Sequence, residues 1–462
     1  MKVGVNYYTA TNPKVPLNIF HKQKGRLHLL LHSDKPHWLV VNDIGWEIAK
    51  LCDGRHDVNE IISFISAKYG TQPHIVYGDV DTYLNHLSRT NFLLNEITEG
   101  TKEQKVSLKR LHLNINETCN LRCIHCGVID GSSKTEWIKK DKVFEIINEL
   151  SEIKEAALAI SGGEPLLHKD CLEILGYASK RLKTSLSTNA TLIDEKTAQS
   201  LSSLDIDLQI SLDGPDAALN DRIRGQDAFK RTLNGIRLLQ RYGAKNRISL
   251  FVTVMQQNID SIPGIIKFAE VLEIPSIRFL PIQKVGNARA SWDNISPTPR
   301  EYSHLYTYLY QKFPSTSIKI ERGFQGFLLD IPGGQRWCHL GETLFIDSKG
   351  DIYPCSLMVH SDFHIGNIYE MSLKEAIESE RLMDIVRICS IRESTILRCK
   401  ECSWKNFCQA SCPGSVFSQK GSLWDTDDLC DLRQKLYPEV IFDMAEKRMD
   451  ISILKQSKEC EI

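Results

Sequence analysis

No stretch of this chain reaches the ~18 consecutive apolar residues of a membrane helix. The N-terminus, Met1-Lys2-Val3-Gly4, lacks the apolar core of a secretory signal. Membrane insertion and export are therefore not expected, and a reducing cytoplasm is the default. No charge of one sign dominates either: 57 Lys and Arg stand against 58 Asp and Glu, a net charge of -1. That balance leaves no electrostatic footprint for nucleic acid or an anionic membrane surface. Internal repeats and low-complexity tracts are absent. With 42% hydrophobic and 25% charged residues, disorder, collagen and coiled coil are excluded. The 462 residues suffice for about three domains and can bury a core without disulfides.

What the chain has in excess is cysteine, fourteen in all. In a large chain with no export signal, clustered cysteines read as metal ligands or redox groups. One group is Cys119, Cys123 and Cys126. A second is Cys338, Cys355, Cys399, Cys402, Cys408, Cys412 and Cys430. Cys52 and Cys171 fall in helical patterns and read as small core residues. Cys389 and Cys460 remain.

The apolar pattern divides the chain. Residues 1–97 read as a small α+β unit with a hairpin at Leu27–Leu31 and Trp38–Val41. Helices follow after Asn42 (Ile44, Ile48 and Leu51 inward), from about Asp57 to Tyr69, and from about Gly78 to Thr90. Residues 98–108 read as a linker. From 109 to 320 the period alternates between two and 3.6. Strands are expected at Leu111–Asn116, Ala157–Ser161, Ser185–Thr188, Ile206–Leu212, Ile248–Val254 and Ile277–Pro281. Helices are expected near 141–154, 170–182, 194–202, 227–242, 258–272 and 299–312. Six βα units in a row predict an α/β fold with a parallel sheet, an open partial (β/α)6 barrel rather than a closed eight-stranded one. Residues 321–435 break into short pieces punctuated by cysteine, as in a small domain stapled by metal. Residues 436–462 form a C-terminal helix and tail, with helix from about Leu432 to Leu454.

The first group, Cys119-Asn-Leu-Arg-Cys123-Ile-His-Cys126, puts three thiolates on one loop directly after the first barrel strand. Three thiolates can hold three irons of a [4Fe–4S] cluster and leave the fourth open. Zinc would need a fourth ligand, for which His125 is the near option. CxxxCxxC at this place in a six-unit βα array resembles the radical S-adenosylmethionine (SAM) enzymes. The resemblance implies that the open iron chelates SAM, whose reductive cleavage yields a 5′-deoxyadenosyl radical. Further motifs fit it. Ser161-Gly162-Gly163-Glu164-Pro165 resembles the family's SAM-amino-binding motif, with Glu164 available to an ammonium. Ser187, Asn189, Ser211 and Asp213 end the third and fourth strands, where relatives contact the ribose. Arg222 or Arg224 would pair with the SAM carboxylate. His125 stands where relatives often place a residue beside the adenine. Taken singly, these residues could equally be turn formers, caps or a solvated arginine.

The second group resembles the seven-cysteine SPASM domain with two auxiliary [4Fe–4S] clusters. The resemblance implies Cys338, Cys355 and Cys412 at auxiliary cluster I, and Cys399, Cys402, Cys408 and Cys430 at cluster II. No cysteine lies between His339 and Pro354. Cluster I therefore has an open iron, a non-cysteine ligand, or Cys389 as its fourth. A zinc-ribbon reading would instead use Cys399, Cys402, Cys408 and Cys412.

Residues 26–94, including Leu39-Val-Val-Asn42 and Ile48-Ala-Lys-Leu51-Cys-Asp-Gly54, resemble the peptide-recognition domain of PqqD type. In such domains a leader peptide adds a strand to the sheet edge. Trp38, Val40, Val80, Tyr83 and Leu87 are candidate groove residues, or else core. Together the resemblances imply a radical SAM maturase of a ribosomally made precursor peptide. It would use SAM, three [4Fe–4S] clusters and an electron donor such as flavodoxin or ferredoxin. A thioether crosslink is expected first, on the strength of the incomplete cluster I set, and a carbon–carbon or carbon–oxygen crosslink second. Epimerisation, a sulfatase-type maturase and a zinc-bound peptide-binding protein are the alternatives.

Overall fold

Two antiparallel hairpin registers build the N-terminal unit. In the computed structural model, which describes residues 12–16, 18–35, 37–89, 92–93, 106–128, 137–309, 318–321 and 338–452, β1 (Phe20–Lys24), β2 (Leu27–Leu31) and β3 (Trp38–Val41) pair in that order. β2 is apolar on both faces for a reason. Leu30 enters the unit's own core, while Leu29 and Leu31 enter the core of the main body. Helices α1 (Asp43–Leu51), α2 (Val58–Tyr69) and α3 (Pro73–Arg89) follow. The Asn42 side chain accepts the Gly45 N–H at the start of α1, and Asp57 with Glu60 forms a capping box on α2. The inward face of α1 differs from the expected one. Gly45, Ile48 and Ala49 are buried, and Ile44 is exposed. A Cβ at Gly45 would stand 2.9 Å from that of Val41, so the helix lies too close to β3 for a side chain there.

The main sheet has ten strands, with a parallel array of six at its centre, one further strand on one edge and three on the other. The strands β4 (Arg110–Asn114), β5 (Ala157–Ser161), β6 (Lys183–Thr188), β7 (Ile206–Ser211), β8 (Ile248–Val254) and β9 (Ser276–Pro281) are parallel and neighbours in chain order. Between and after them run α4 (Lys140–Ser151), α5 (Cys171–Ser179), α6 (Glu195–Ser202), α7 (Ala217–Arg224), α8 (Ala228–Arg241), α9 (Ile262–Val271) and α10 (Pro299–Thr307). This is the partial barrel expected from the alternating periods. β8 shows its logic. Ile248, Leu250, Val252 and Val254 are buried, whereas Ser249, Phe251 and Thr253 line the barrel cavity. Cys52 and Cys171 are core residues, as expected.

The structure departs from the expected division at two places. First, β10 (Lys319–Glu321) continues the parallel array beyond β9, and β11 (Thr343–Ile346) pairs parallel with β4 on the other edge. β12 (Asp351–Tyr353) and β13 (Gly366–Asn367) add antiparallel strands outside it. The cysteine-rich region thus extends the barrel sheet. Second, the region holds α11 (Glu380–Ser390), α12 (Pro413–Lys420) and α13 (Cys430–Ser452). Helix α13 crosses the 435/436 division without a break. It also carries the docking face for the N-terminal unit, with Lys24 Nζ 3.3 Å from Asp443 Oδ1. Among the described residues no helix is long and apolar enough to cross a membrane.

Candidate functional site

The loop Cys119–Cys126 leaves the end of β4 and is tied down from three sides. The Ile124 N–H donates to the Ile223 carbonyl of α7 (3.0 Å). The Asn287 N–H donates to the Cys126 carbonyl (2.9 Å) and its Nδ2 to the Cys123 carbonyl (3.3 Å). Beside them Gly286 sits at φ 50°, where a Cβ would stand 2.3 Å from the Cys126 oxygen. Asn189 Nδ2 donates to Asn120 Oδ1 (3.0 Å) and lies 3.8 Å from Cys119 Sγ. Burial pushes the Cys123 thiol up to about 12, although Arg224 works against it; Cys126 and Cys119 add to the rise. Such thiols ionise readily only beside a cationic centre. Among the described residues no three His, Cys, Asp or Glu side chains converge on one metal ion. A cubane cluster does not need that, because each thiolate takes its own iron.

Gly162 and Gly163 join β5 to this loop. A Cβ on Gly162 would lie 2.4 Å from the Asn116 carbonyl oxygen, and one on Gly163 2.4 Å from that of Thr118. The Gly163 and Glu164 N–H groups donate to the same two carbonyls (2.9 and 2.8 Å). Glu164 has protein partners at both carboxylate oxygens. Its carboxylate is fully buried and accepts from Thr188 Oγ1 (2.7 Å), the Asn189 N–H (2.8 Å) and the Leu166 N–H (3.1 Å). It braces the ends of β5 and β6.

At the end of β7, Asp213 is fully buried. Its Oδ1 accepts the Thr253 N–H (2.8 Å), and its Oδ2 lies 2.7 Å from Arg224 Nε and 3.5 Å from His125 Nε2. Burial pushes the His125 imidazole down to about 4, against the pull of Asp213. The ring is neutral, and its buried Nδ1 lacks a hydrogen-bond partner. Of the two arginines left open by the sequence, Arg224 is buried beside the cysteine loop and Arg222 is exposed on α7. Ser187 lines the cavity and donates to Gln209 Oε1 (2.7 Å). Ser211 is half-buried at the end of β7. The cavity is about 1850 Å³ and runs the length of the barrel, past Phe251, Arg278, Glu321 and Asp347. The Arg278–Glu321 ion pair (2.6 Å) and the buried Asp347 were not singled out from the sequence. Arg278 and Glu321 stand on the paired strands β9 and β10 and Asp347 directly follows β11, so only the assembled sheet brings them to one cavity.

The second cysteine group separates into two sets. Cys399, Cys402, Cys408 and Cys430 line one small pocket. Cys412 lies apart from it, buried, and after burial its thiol is raised chiefly by Cys338 and Cys355. This partition has the donor chemistry of two four-iron sites, and it differs from the zinc-ribbon grouping, which would pair Cys412 with Cys399, Cys402 and Cys408. In the N-terminal unit, Val80 and Leu87 are fully buried in the unit's core, which removes them as groove residues. They form the stripe that holds α3 down. Tyr83 is partly buried on the same core, while Trp38 and Val40 pack toward the main body.

Comparison with known proteins gives these geometries a class. Residues 113–269 match the radical SAM superfamily, residues 28–93 the coenzyme PQQ synthesis protein D family (PqqD), and residues 338–403 the iron-sulfur cluster-binding SPASM domain. The chain thus carries PqqD, radical SAM and SPASM domains in that order. It is similar to the mycofactocin maturase MftC of Mycolicibacterium smegmatis, 30% identical over 257 residues that cover 54% of this chain and 64% of that protein. The match thus spans less than two thirds of that relative. It is also similar to the AdoMet-dependent heme synthase of Methanosarcina barkeri, 25% identical over 345 residues, covering 68% of this chain and 94% of that protein. Among solved structures, Streptococcus suis SuiB bound to S-adenosylmethionine shares the fold. Its TM-score is 0.58 at 16% identity, covering 90% of this chain and 99% of that one.

Proposed function

We propose that this protein is a maturase that installs an intramolecular crosslink in a ribosomally made precursor peptide. The observation that carries the reading is the attachment of the PqqD unit to the catalytic body. Leu29 and Leu31 of β2 belong to the barrel's core, Asn406 Nδ2 donates to the Ser33 carbonyl (2.9 Å), and Lys24 meets Asp443. A leader strand added to the outer edge of this sheet would hold the rest of the peptide beside the barrel. The cavity, lined by backbone-sized polar side chains with Phe251 and the Arg278–Glu321 pair, is wide enough to take an extended segment.

Cys119, Cys123 and Cys126 would hold the SAM-binding cluster, with Cys338, Cys355 and Cys412 at auxiliary cluster I and Cys399, Cys402, Cys408 and Cys430 at auxiliary cluster II. The chemistry that SAM and the first cluster supply when bound is reductive SAM cleavage followed by hydrogen-atom abstraction. Asp213 holds Arg224 toward the Cys119–Cys126 loop, where the guanidinium's remaining nitrogens suit the SAM carboxylate. The neutral His125, with an unsatisfied Nδ1, suits a nucleobase edge. Gly162, Gly163, Glu164 and Asn189 fix the loop. Cys338, Cys355, Cys412, Cys399, Cys402, Cys408 and Cys430 would hold auxiliary clusters able to pass the second electron to an external acceptor, with a flavodoxin or ferredoxin as the donor of the first. Three bonds fit: a thioether from a cysteine sulfur to a carbon, then a carbon–carbon or a carbon–oxygen bond.

The test is incubation with SAM, a reductant and any short peptide encoded by a neighbouring reading frame. A crosslink removes two hydrogens, a loss of about 2 Da, and releases 5′-deoxyadenosine. Alkylation of the product separates a thioether, which consumes a thiol, from the other two bonds. An unchanged mass with an inverted residue would replace this reading with epimerisation.

A further inference from the structure

We propose that Cys389 is the fourth protein ligand of auxiliary cluster I, so that this cluster has no open iron. The inference rests on the reading of the chain as an enzyme with two auxiliary clusters and goes beyond it by closing one of them.

Three independent contacts bring the C-terminal turn of α11, which carries Cys389, against each of the three segments that hold the other cysteines. Toward the first, a Cβ at Gly341 would touch Val386 at 3.5 Å, and Leu340 packs on the small core that contains Ile385. Gly341 is three residues from Cys338, and Val386 is one helical turn before Cys389. Toward the second, Cys355 and Cys389 pack on that same core of Met358, Phe363 and Ile385. Toward the third, the fully buried Arg392 donates from Nη1 to the Ser411 carbonyl (2.8 Å), from Nε to Leu423 O (2.7 Å) and from Nη2 to Asp425 O (3.0 Å). Arg392 lies three residues past Cys389, and Ser411 immediately precedes Cys412. A close approach completes the ring: a Cβ at Gly414 would stand 2.6 Å from that of Leu357, which fixes the Cys412 segment on the Cys355 segment.

Four cysteines therefore stand on four segments that pack against one another. A set of like-charged thiolates in one buried place is stable only around a compensating cationic centre, and four is the number that saturates a [4Fe–4S] cluster. With every iron taken, a substrate thiol has no place to bind there, and the cluster's part is electron transfer. A thioether, if that is the bond, then forms without a sulfur–iron bond at this cluster.

The test uses the full chain, purified anaerobically, in a Cys119→Ala/Cys123→Ala/Cys126→Ala background that removes the SAM cluster. The readout is the EPR spectrum of the reduced auxiliary clusters with and without 2-mercaptoethanol, alongside iron content. The expected result is a spectrum indifferent to the added thiol. Adding Cys389→Ala should make one signal shift with the thiol or be lost with its irons, while Cys389→Ser keeps the irons and shifts that signal. The buried core variant Cys171→Ala should leave the spectrum unchanged. A thiol-induced shift with Cys389 intact would overturn the proposal, as would a Cys389→Ala spectrum identical to the parent's. Zinc in place of iron in the unsubstituted protein would overturn the maturase reading and this one with it, so the two failures are distinguishable.

Discussion

Removing Arg224 tests how the SAM side of the site is built. Asp213 has no exposed surface and Arg224 almost none, and they meet at 2.7 Å. Burial works against the guanidinium's charge, but Asp213 and the neighbouring Cys123 and Cys126 outweigh it and hold its pKa above the usual value. Arg224→Ala leaves Asp213 as an uncompensated buried charge, which costs about 3–5 kcal/mol. For a unit the size of the barrel, each kcal/mol moves the melting temperature by roughly 2–4 °C, so a drop of about 6–20 °C is expected. The double variant Arg224→Met/Asp213→Asn removes both charges and should recover most of that loss, since neutral replacement of a buried pair is often close to neutral. SAM affinity should fall in both. A charge-assisted hydrogen bond of about 1.5–3 kcal/mol corresponds to roughly a tenfold to hundredfold weaker Kd. Arg222→Ala, at an exposed position, should stay within about 0.5 kcal/mol and leave SAM binding unchanged. Anaerobic melting by circular dichroism and calorimetric SAM titration read both quantities. An Arg224→Ala protein that melts within a degree of the parent, or an Arg222→Ala protein that loses SAM affinity as strongly, would refute the assignment.

Gly163→Ala places a methyl 2.4 and 2.5 Å from the backbone oxygens of Thr118 and Glu117; backbone must move, at about 1–3 kcal/mol, and the protein should lose the roughly four irons of one cluster, whereas a full iron complement would show that the contact does not position the loop. Asp347 is raised to about 6 from 3.8, first by burial and then by Asp351 and Glu117 against two N–H donors. The folded state therefore prefers it protonated, and its penalty of about 3 kcal/mol at neutral pH fades as pH falls from about 6 toward 4. Asp347→Asn should accordingly stabilise the protein more at pH 7.5 than at pH 5.5 in paired melts; an equal gap at the two values would contradict the sign. Leu87→Ala should cost about 2–5 kcal/mol as a core truncation, read by melting, and no loss would return Leu87 to the surface.

The parts of this fold that sequence makes legible are those with a local cause. β4 to β9 announce themselves because one face of each strand packs under helices and the other lines a cavity, which leaves alternation such as Ile206-Asp-Leu-Gln-Ile-Ser. Two of the helices that follow announce their starts with a capping side chain, Asp194 and Asp216. The joining of β11 to β4 has no such signal. Leu344 pairs with Leu111 across more than two hundred residues, and nothing in Thr343-Leu-Phe-Ile distinguishes a barrel strand from a hairpin of a separate domain. The stripe Val80, Tyr83, Leu87 was read correctly as a helical face, but a groove and a core present the same stripe. The surroundings of Glu164 are hidden in the sequence for a related reason. Its motif identifies the position, while the carboxylate's partners, Thr188 and Asn189, come from the next strand. Cys389 has no motif of its own at all, and only the packing of α11 brings it to the other thiols.

The central claim is that the cysteines hold iron–sulfur clusters, one of them beside Asp213, Arg224 and His125. Iron, sulfide and zinc content of the anaerobically purified protein tests it most directly, compared with the Cys119→Ala/Cys123→Ala/Cys126→Ala variant. The account predicts about twelve irons with matching sulfide, falling to about eight in the variant. Stoichiometric zinc with little iron, or an iron content unchanged by the three substitutions, would contradict it.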